Sequence, residues 1–123
     1  MIDTNVVSDY FSFTLPDSGM KFMDKVVDEV PKLSIISQIE LLCWKTEKST
    51  TQKVKSFIAD SLILDISQGV INHCVEIRKN RKIKTPDAII AGTALDKSFI
   101  LLTRNTKDFQ GIPGLDVLNP HEL

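Results

Sequence analysis

The sequence predicts an α/β protein, a three-layer α/β/α sandwich built on a four- or five-stranded parallel sheet. Short apolar segments alternate with helix-period stripes along the whole 123-residue chain, which implies right-handed β-α-β crossovers. One of those segments, Phe99-Ile100-Leu101-Leu102-Thr103, is apolar almost without interruption, as a parallel strand covered on both faces must be. Acids recur just beyond the apolar segments, at the carboxyl edge where such a sheet forms its ligand crevice.

Length supports one domain over residues 1–123, large enough to bury a core without a disulfide or metal staple. The hydrophobic share of 42% and the charged share of 25% are those of an ordinary globular chain, with no repeat and no low-complexity run. No stretch approaches the roughly 20 apolar residues that span a bilayer, and the N-terminus lacks a charged-then-apolar signal pattern. A cytoplasmic protein is expected. Cys43 and Cys74 each sit inside an apolar helical pattern, away from any His or Cys at ligand spacing, so both are expected to be buried free thiols. A formal net charge of −1 supplies no global attraction to nucleic acid, and any such binding must come from a local patch.

In chain order, Met1-Ile2 running into Asp3-Thr4-Asn5 predicts a central strand that delivers an acid into the crevice. A first helix follows to about Phe13, and Thr14 to Gly19, with Pro16, Asp17, Ser18 and Gly19, predicts a turn. Phe22, Met23, Val26, Val27 and Val30 form a helix-period stripe closed by Pro31. Leu33, Ile35 and Ile36 predict a second strand, and Ser37-Gln38-Ile39-Glu40 opens a helix carrying Leu41, Leu42 and Trp44. Val54, Phe57 and Ile58 mark another helix, and Leu62-Ile63-Leu64 an edge strand. From Ser67 a longer helix presents Val70, Ile71, Cys74 and Ile77. Thr85-Pro86-Asp87 has cap chemistry, with proline at the first helical position of a helix that is apolar nearly all round and so lies buried against the sheet. After the strand at 99–103 come a helical turn at Asn105-Thr106-Lys107-Asp108-Phe109, a loop from Gly111 to Gly114, and a last short strand at Val117-Leu118.

Asp3, Glu40, Asp87 and Asp108 thus all fall near the carboxyl edge. Each also fits a helix-start role: Asp3 as a cap, Ser37-x-x-Glu40 as a capping box, Asp87 and Asp108 as complements to a helix dipole. Four carboxylates at one edge repel unless neutralised, and hard oxygen ligands around a small crevice suit Mg²⁺ or Mn²⁺. The two readings coexist, since a helix N-terminus can hold a carboxylate in place for a metal. The absence of His and Cys from the set argues against zinc.

The set Asp3-Thr4-Asn5, Ser37-x-x-Glu40, Thr85-Pro86-Asp87-Ala88-Ile89-Ile90-Ala91 and Leu102-Thr103-x-Asn105-x-x-Asp108-Phe109 resembles the PIN-domain family, in particular the VapC toxins of toxin–antitoxin pairs. The resemblance covers essentially the whole chain, in order and at the family's spacing. It implies a Mg²⁺-dependent endoribonuclease that cuts structured RNA, is held inactive by a VapB-type antitoxin, and is usually dimeric. It also implies that Asp3, Glu40, Asp87 and Asp108 are the acidic quartet, with Thr4, Thr103 and Asn105 orienting those carboxylates or an attacking water. Only Met1 and Ile2 precede Asp3, fewer apolar residues than such domains commonly have, so the first strand is expected to be short or to start upstream.

The one dense basic run, Arg78-Lys79-Asn80-Arg81-Lys82-Ile83-Lys84, puts five cations in seven positions and leads within three residues to Asp87. Arg78, Lys79, Arg81, Lys82 and Lys84 are therefore candidate phosphate contacts, against the plainer reading of a basic helix end that complements its dipole. His73, inside a helix, and His121, in the C-terminal tail, are poor candidates for a general base. Rival functions are a PIN-like module that binds RNA or protein without cutting, a housekeeping PIN ribonuclease without an antitoxin, and a phosphatase or phosphotransfer receiver domain. The receiver's paired early acids and late lysine are missing here.

Overall fold

A computed structural model describes residues 1–123. Seven helices, α1 (Thr4–Phe11), α2 (Asp17–Asp28), α3 (Ile35–Leu42), α4 (Lys48–Ala59), α5 (Gln68–Asn80), α6 (Thr85–Lys97) and α7 (Thr106–Phe109), surround four short strands, β1 (Lys32–Ser34), β2 (Leu62–Leu64), β3 (Leu101–Leu102) and β4 (Val117–Leu118). A 3-10 turn, Pro120–Glu122, ends the chain. The strands form two parallel pairs, β1 with β2 and β3 with β4.

The N-terminal segment lies between the pairs. Ile2 N donates to Lys32 O at 2.9 Å, Asp3 N donates to Leu102 O at 2.8 Å, and Leu102 N donates to Met1 O at 2.9 Å. The regular ladders are thus two pairs joined by Met1–Asp3, and not the single four- or five-stranded ladder expected. The physical cause is length: the central segment is extended only until the Asp3 carboxylate accepts from Thr4 N and α1 begins.

Alternation along these segments sorts the core into two clusters. Met1, Leu101 and Leu64 join Ile77, Ile83, Ala88, Ala91 and Phe109; Ile2, Leu102 and Leu33 join Val6, Val7, Met23, Leu41, Val54 and Phe57. Successive strand side chains point to opposite faces, so neighbours such as Leu101 and Leu102 enter different clusters. As expected, α6 is largely buried, at Ala88 and from Ile90 through Ala94, and it packs against α5 at close range. Gly92 permits this, because a Cβ there would lie 3.0 Å from Val70 O and 3.2 Å from Cys74 N.

Several sequence expectations change. Ile35 and Ile36 belong to α3, because the Ser34 hydroxyl accepts from Ile36 N and so caps a helix where β-branched residues predict a strand. Ser37 is consequently not a cap but a buried residue within α3, and Glu40 lies in that helix's second turn. Asp17, Ser18 and Gly19 open helix α2 instead of completing the expected turn, while Val30 falls outside that helix and is exposed. Thr85 is the first residue of α6 and supplies no cap; Lys84 holds the cap position without a side-chain bond. The run at 99–103 contributes only two strand residues. The left-handed Ser98 (φ 56°) and the bond from Phe99 N to Ala94 O use the preceding residues to end α6, leaving Ile100 half exposed. Both thiols are free, but Cys43 is exposed at the end of α3 and Cys74 only partly covered.

Candidate active site

Asp3 is the most enclosed acid of the predicted set, 5% exposed, and each of its oxygens is held. Oδ1 accepts from Thr4 N at 2.8 Å; Oδ2 accepts from the Thr103 hydroxyl at 2.8 Å and from Asn5 Nδ2 at 3.2 Å. Three donors favour the carboxylate form, yet burial dominates and, with Asp87 and Glu40 nearby, pushes the pKa up to about 6. Asp87, in the first turn of α6 and half-buried, is also raised, first by burial and then by the charges of Glu40 and Asp108, with Lys84 opposing.

The outer acids are positioned by single polar partners. Thr4 donates its hydroxyl to Glu40 Oε1 at 2.6 Å and lies 3.0 Å from Ser37 Oγ. Asn105 Nδ2 donates to Asp108 Oδ2 at 2.7 Å, and Asn105 N donates to the Thr103 hydroxyl at 3.0 Å. The carboxylates therefore form a sequence of neighbours, with Asp87 influenced by Glu40 and Asp108 and Asp3 influenced by Asp87 and Glu40. No three of them close into a ready-made cage for an ion. A hard divalent cation that takes one or two carboxylates and completes its shell with water and substrate phosphate does not need such a cage.

The basic run divides. Arg78, Lys82 and Lys84 line an open cleft of about 590 Å³ together with Ile83, Asp87, Asn105 and Asp108. Arg81 instead turns to the far side of α5, where its Nη2 donates to Gln110 O at 2.9 Å, and Lys79 is an exposed end-of-helix residue. Arg78 Nε also donates to Ile83 O at 3.2 Å, which folds the run back toward α6. Neither histidine joins the acids: His73 lines a separate cavity beside α5, and His121 Nε2 is 2.8 Å from Asp9 Oδ2. Sequence reasoning did not find Asp9, a buried acid that also accepts two bonds from Arg104 Nη1, at 3.0 and 3.1 Å. No local signal marks it, since its partners lie 95 and 112 residues away.

A parallel α/β protein with a buried and a half-buried carboxylate, Asp3 and Asp87, at helix starts beside a basic cleft is the class that fold and site define. The family model of the PIN domain matches residues 1–115, and the chain belongs to that family. PIN domains of this VapC-like kind are generally nucleases. A toxin–antitoxin complex from Klebsiella pneumoniae contains a chain 34% identical, with 99% of this chain and 98% of that one covered and a TM-score of 0.79. VapBC2 from Rickettsia felis, bound to a DNA fragment from its promoter, is 25% identical over 97% of this chain and 96% of that one, with a TM-score of 0.78. FitAcB from Neisseria gonorrhoeae, 24% identical over 99% and 98%, shares the fold at a TM-score of 0.80. No match was found among curated protein sequences. No helix is long and apolar enough to cross a membrane.

Proposed function

We propose that the protein is a divalent-metal-dependent endoribonuclease, one domain over residues 1–123, and the toxin of a VapBC-like pair acting in the cytoplasm. The observation that carries this reading is the cleft in which Asp87, Asn105 and Asp108 face Arg78, Lys82 and Lys84. Acids to hold a cation and cations to hold phosphate share one concavity, which is what phosphodiester hydrolysis needs. We read the strand pairs and Met1–Asp3 as one parallel layer between two layers of helices. Its carboxyl edge then presents Asp3 beside Asp87.

In this reading Asp3, Glu40, Asp87 and Asp108 would hold Mg²⁺ or Mn²⁺, which would supply Lewis acidity toward water and the scissile phosphate. Thr103, Asn5 and Thr4 N fix both oxygens of Asp3, the Thr4 hydroxyl fixes Glu40, and Asn105 fixes Asp108. Arg78, Lys82 and Lys84 bind the backbone flanking the scissile bond, contacts that position RNA without selecting sequence. Lys79 and Arg81 lie outside this cleft, Arg81 being turned toward Gln110. No side-chain nucleophile is required.

A VapB-like antitoxin is the proposed regulator, supported by toxin–antitoxin relatives that match nearly the whole chain. A homodimer is proposed as well, with exposed Ile39 and Leu42 on α3 and Ile71 and Val75 on α5 as available apolar surface. The deciding experiment incubates structured RNA with wild type and Asp87→Asn, with and without Mg²⁺. Metal-dependent cleavage lost in Asp87→Asn supports the reading, and cleavage retained there overturns it.

A further inference from the structure

Helix α1 grips the Arg104 residue at two points. Asn5 Oδ1 accepts from Arg104 N at 3.1 Å, while the Asp9 carboxylate accepts from Arg104 Nη1 at 3.0 and 3.1 Å. Asn5 and Asp9 are four residues apart and so lie on one face of α1. Arg104 is the middle residue of Thr103-Arg104-Asn105, whose outer members reach in different directions, Thr103 to Asp3 and Asn105 to Asp108. Fixing the middle residue at both its backbone and its guanidinium therefore fixes where the flanking side chains point.

We propose that Asp9 is a positioning residue of the active site: through Arg104 it sets the Thr103-Arg104-Asn105 tripeptide, and with it the orientation of the Asp3 and Asp108 carboxylates. This rests on the nuclease reading above. Asp9 does not touch the acids itself. It is 7% exposed, and its other approach is from the C-terminal turn, where His121 Nε2 is 2.8 Å from Oδ2. That turn is clamped in its own right: Asn119 caps it, and Pro120 O packs so tightly on Gly19 that a Cβ there would lie 2.2 Å away. The Asp9 carboxylate is consequently anchored from behind by the C-terminal turn and spends its remaining acceptor capacity on Arg104. Both Asp9 oxygens share the one Nη1, so direction is set by this charged three-centre contact together with the Arg104 N–H on Asn5 Oδ1.

A clasp that only tied the C-terminal turn down would affect stability alone, whereas positioning predicts a catalytic signature. The variants are Asp9→Asn, Arg104→Ala, Arg104→Lys and the double variant Asp9→Asn with Arg104→Ala. Arg104 is partly exposed, with 55% of its side chain accessible, so its variants keep the test open if Asp9→Asn does not fold. Misplacing a catalytic group by about 1 Å costs on the order of 100-fold, so kcat for RNA cleavage falls about tenfold to 100-fold in Arg104→Ala with KM little changed. Arg104→Lys recovers part of that loss, and the double variant is no worse than the worse single one. Independently of cleavage, the side-chain amide NMR signals of Asn5 and Asn105 shift toward solvent-exposed positions in Arg104→Ala while the rest of the spectrum stays folded. Unchanged amide signals with unchanged kcat would leave the pair a structural clasp and overturn the proposal. If wild type cleaves no RNA, the nuclease reading fails, and the amide signals still decide whether Asp9 and Arg104 orient the acids.

Discussion

The Thr103 hydroxyl donates to Asp3 Oδ2 at 2.8 Å across a separation of 100 residues, in full burial. It is the strongest of the local bonds that oppose the effect of burial on Asp3. Thr103→Val deletes the donor at nearly constant volume, so the Asp3 pKa rises further above about 6. The acid limb of the cleavage pH profile then moves to higher pH. A hydrogen bond to a charged group contributes about 1.5 kcal/mol or more, so activity at pH 6 falls about tenfold while recovering in part toward pH 8. An unmoved acid limb would dissociate Thr103 from Asp3 ionisation.

Asp3→Asn and Asp87→Asn each abolish Mg²⁺-dependent cleavage of RNA, because each removes a negative oxygen from a site whose charge must match the metal. Without metal, the same variants melt higher. Raising the Asp3 pKa from 3.8 to about 6 corresponds to a folding cost on the order of 2–3 kcal/mol at neutral pH, which asparagine does not incur. A rise of several degrees in thermal midpoint is expected. Cleavage and melting are measured on the same preparations, and a metal-free midpoint that drops would show the carboxylates to be stabilising caps.

Raised carboxyl groups shape the pH dependence of the metal-free protein. Asp3 is protonated in the fold but ionised in the unfolded chain between pH 3.8 and about 6, so stability falls as pH rises through that window, with Asp87 acting in the same direction. That falling limb is expected in denaturant titrations with chelator present. In Asp3→Asn most of the falling limb disappears; an unaltered limb in that variant would assign it to other groups.

Mg²⁺ or Mn²⁺ raises the thermal midpoint of wild type, since a ligand confined to the fold stabilises by about 2.7 kcal/mol at 100 times its Kd. Because the cation favours ionised Asp3, metal also flattens the decline between pH 4 and 6. Differential scanning fluorimetry over a metal series checks both. A midpoint indifferent to metal would leave the acids as helix-start residues only.

Lys82→Ala and Lys84→Ala weaken RNA binding and reduce its salt dependence, because both residues line the cleft beside Asp87. For single-stranded substrate each lost phosphate contact flattens the slope of log K against log salt by about 0.7. Lys79→Ala, outside the cleft, changes the slope less. Binding titrations at several salt concentrations separate these cases, and equal slopes for all three variants and wild type would route RNA elsewhere.

Much of the fold was legible because its signals are local. Apolar period, the Ser67 cap of α5 and the small-residue pattern of α6 all act within a few residues, so element order and the buried helix followed from sequence. Boundaries at Ile35-Ile36 and Phe99-Ile100 were misread. There β-branched composition favours a strand, while the Ser34 cap and the left-handed Ser98 assign the residues to a helix start and a helix end.

The sequence by itself determined which acids stand at helix starts, because Asp3 caps α1 and Asp87 and Asp108 fall in the first turns of α6 and α7, positions set by the local backbone. It also determined the basic run and its proximity to Asp87. Only the tertiary structure decided which charges meet. It brought Thr103 onto Asp3 and Thr4 onto Glu40, sent Arg81 away to Gln110, and set Arg104 against Asp9 of α1. Those bonds join residues 29 to 100 positions apart. Their geometry follows from how two apolar clusters pack about short strands, and chain spacing carries no record of it.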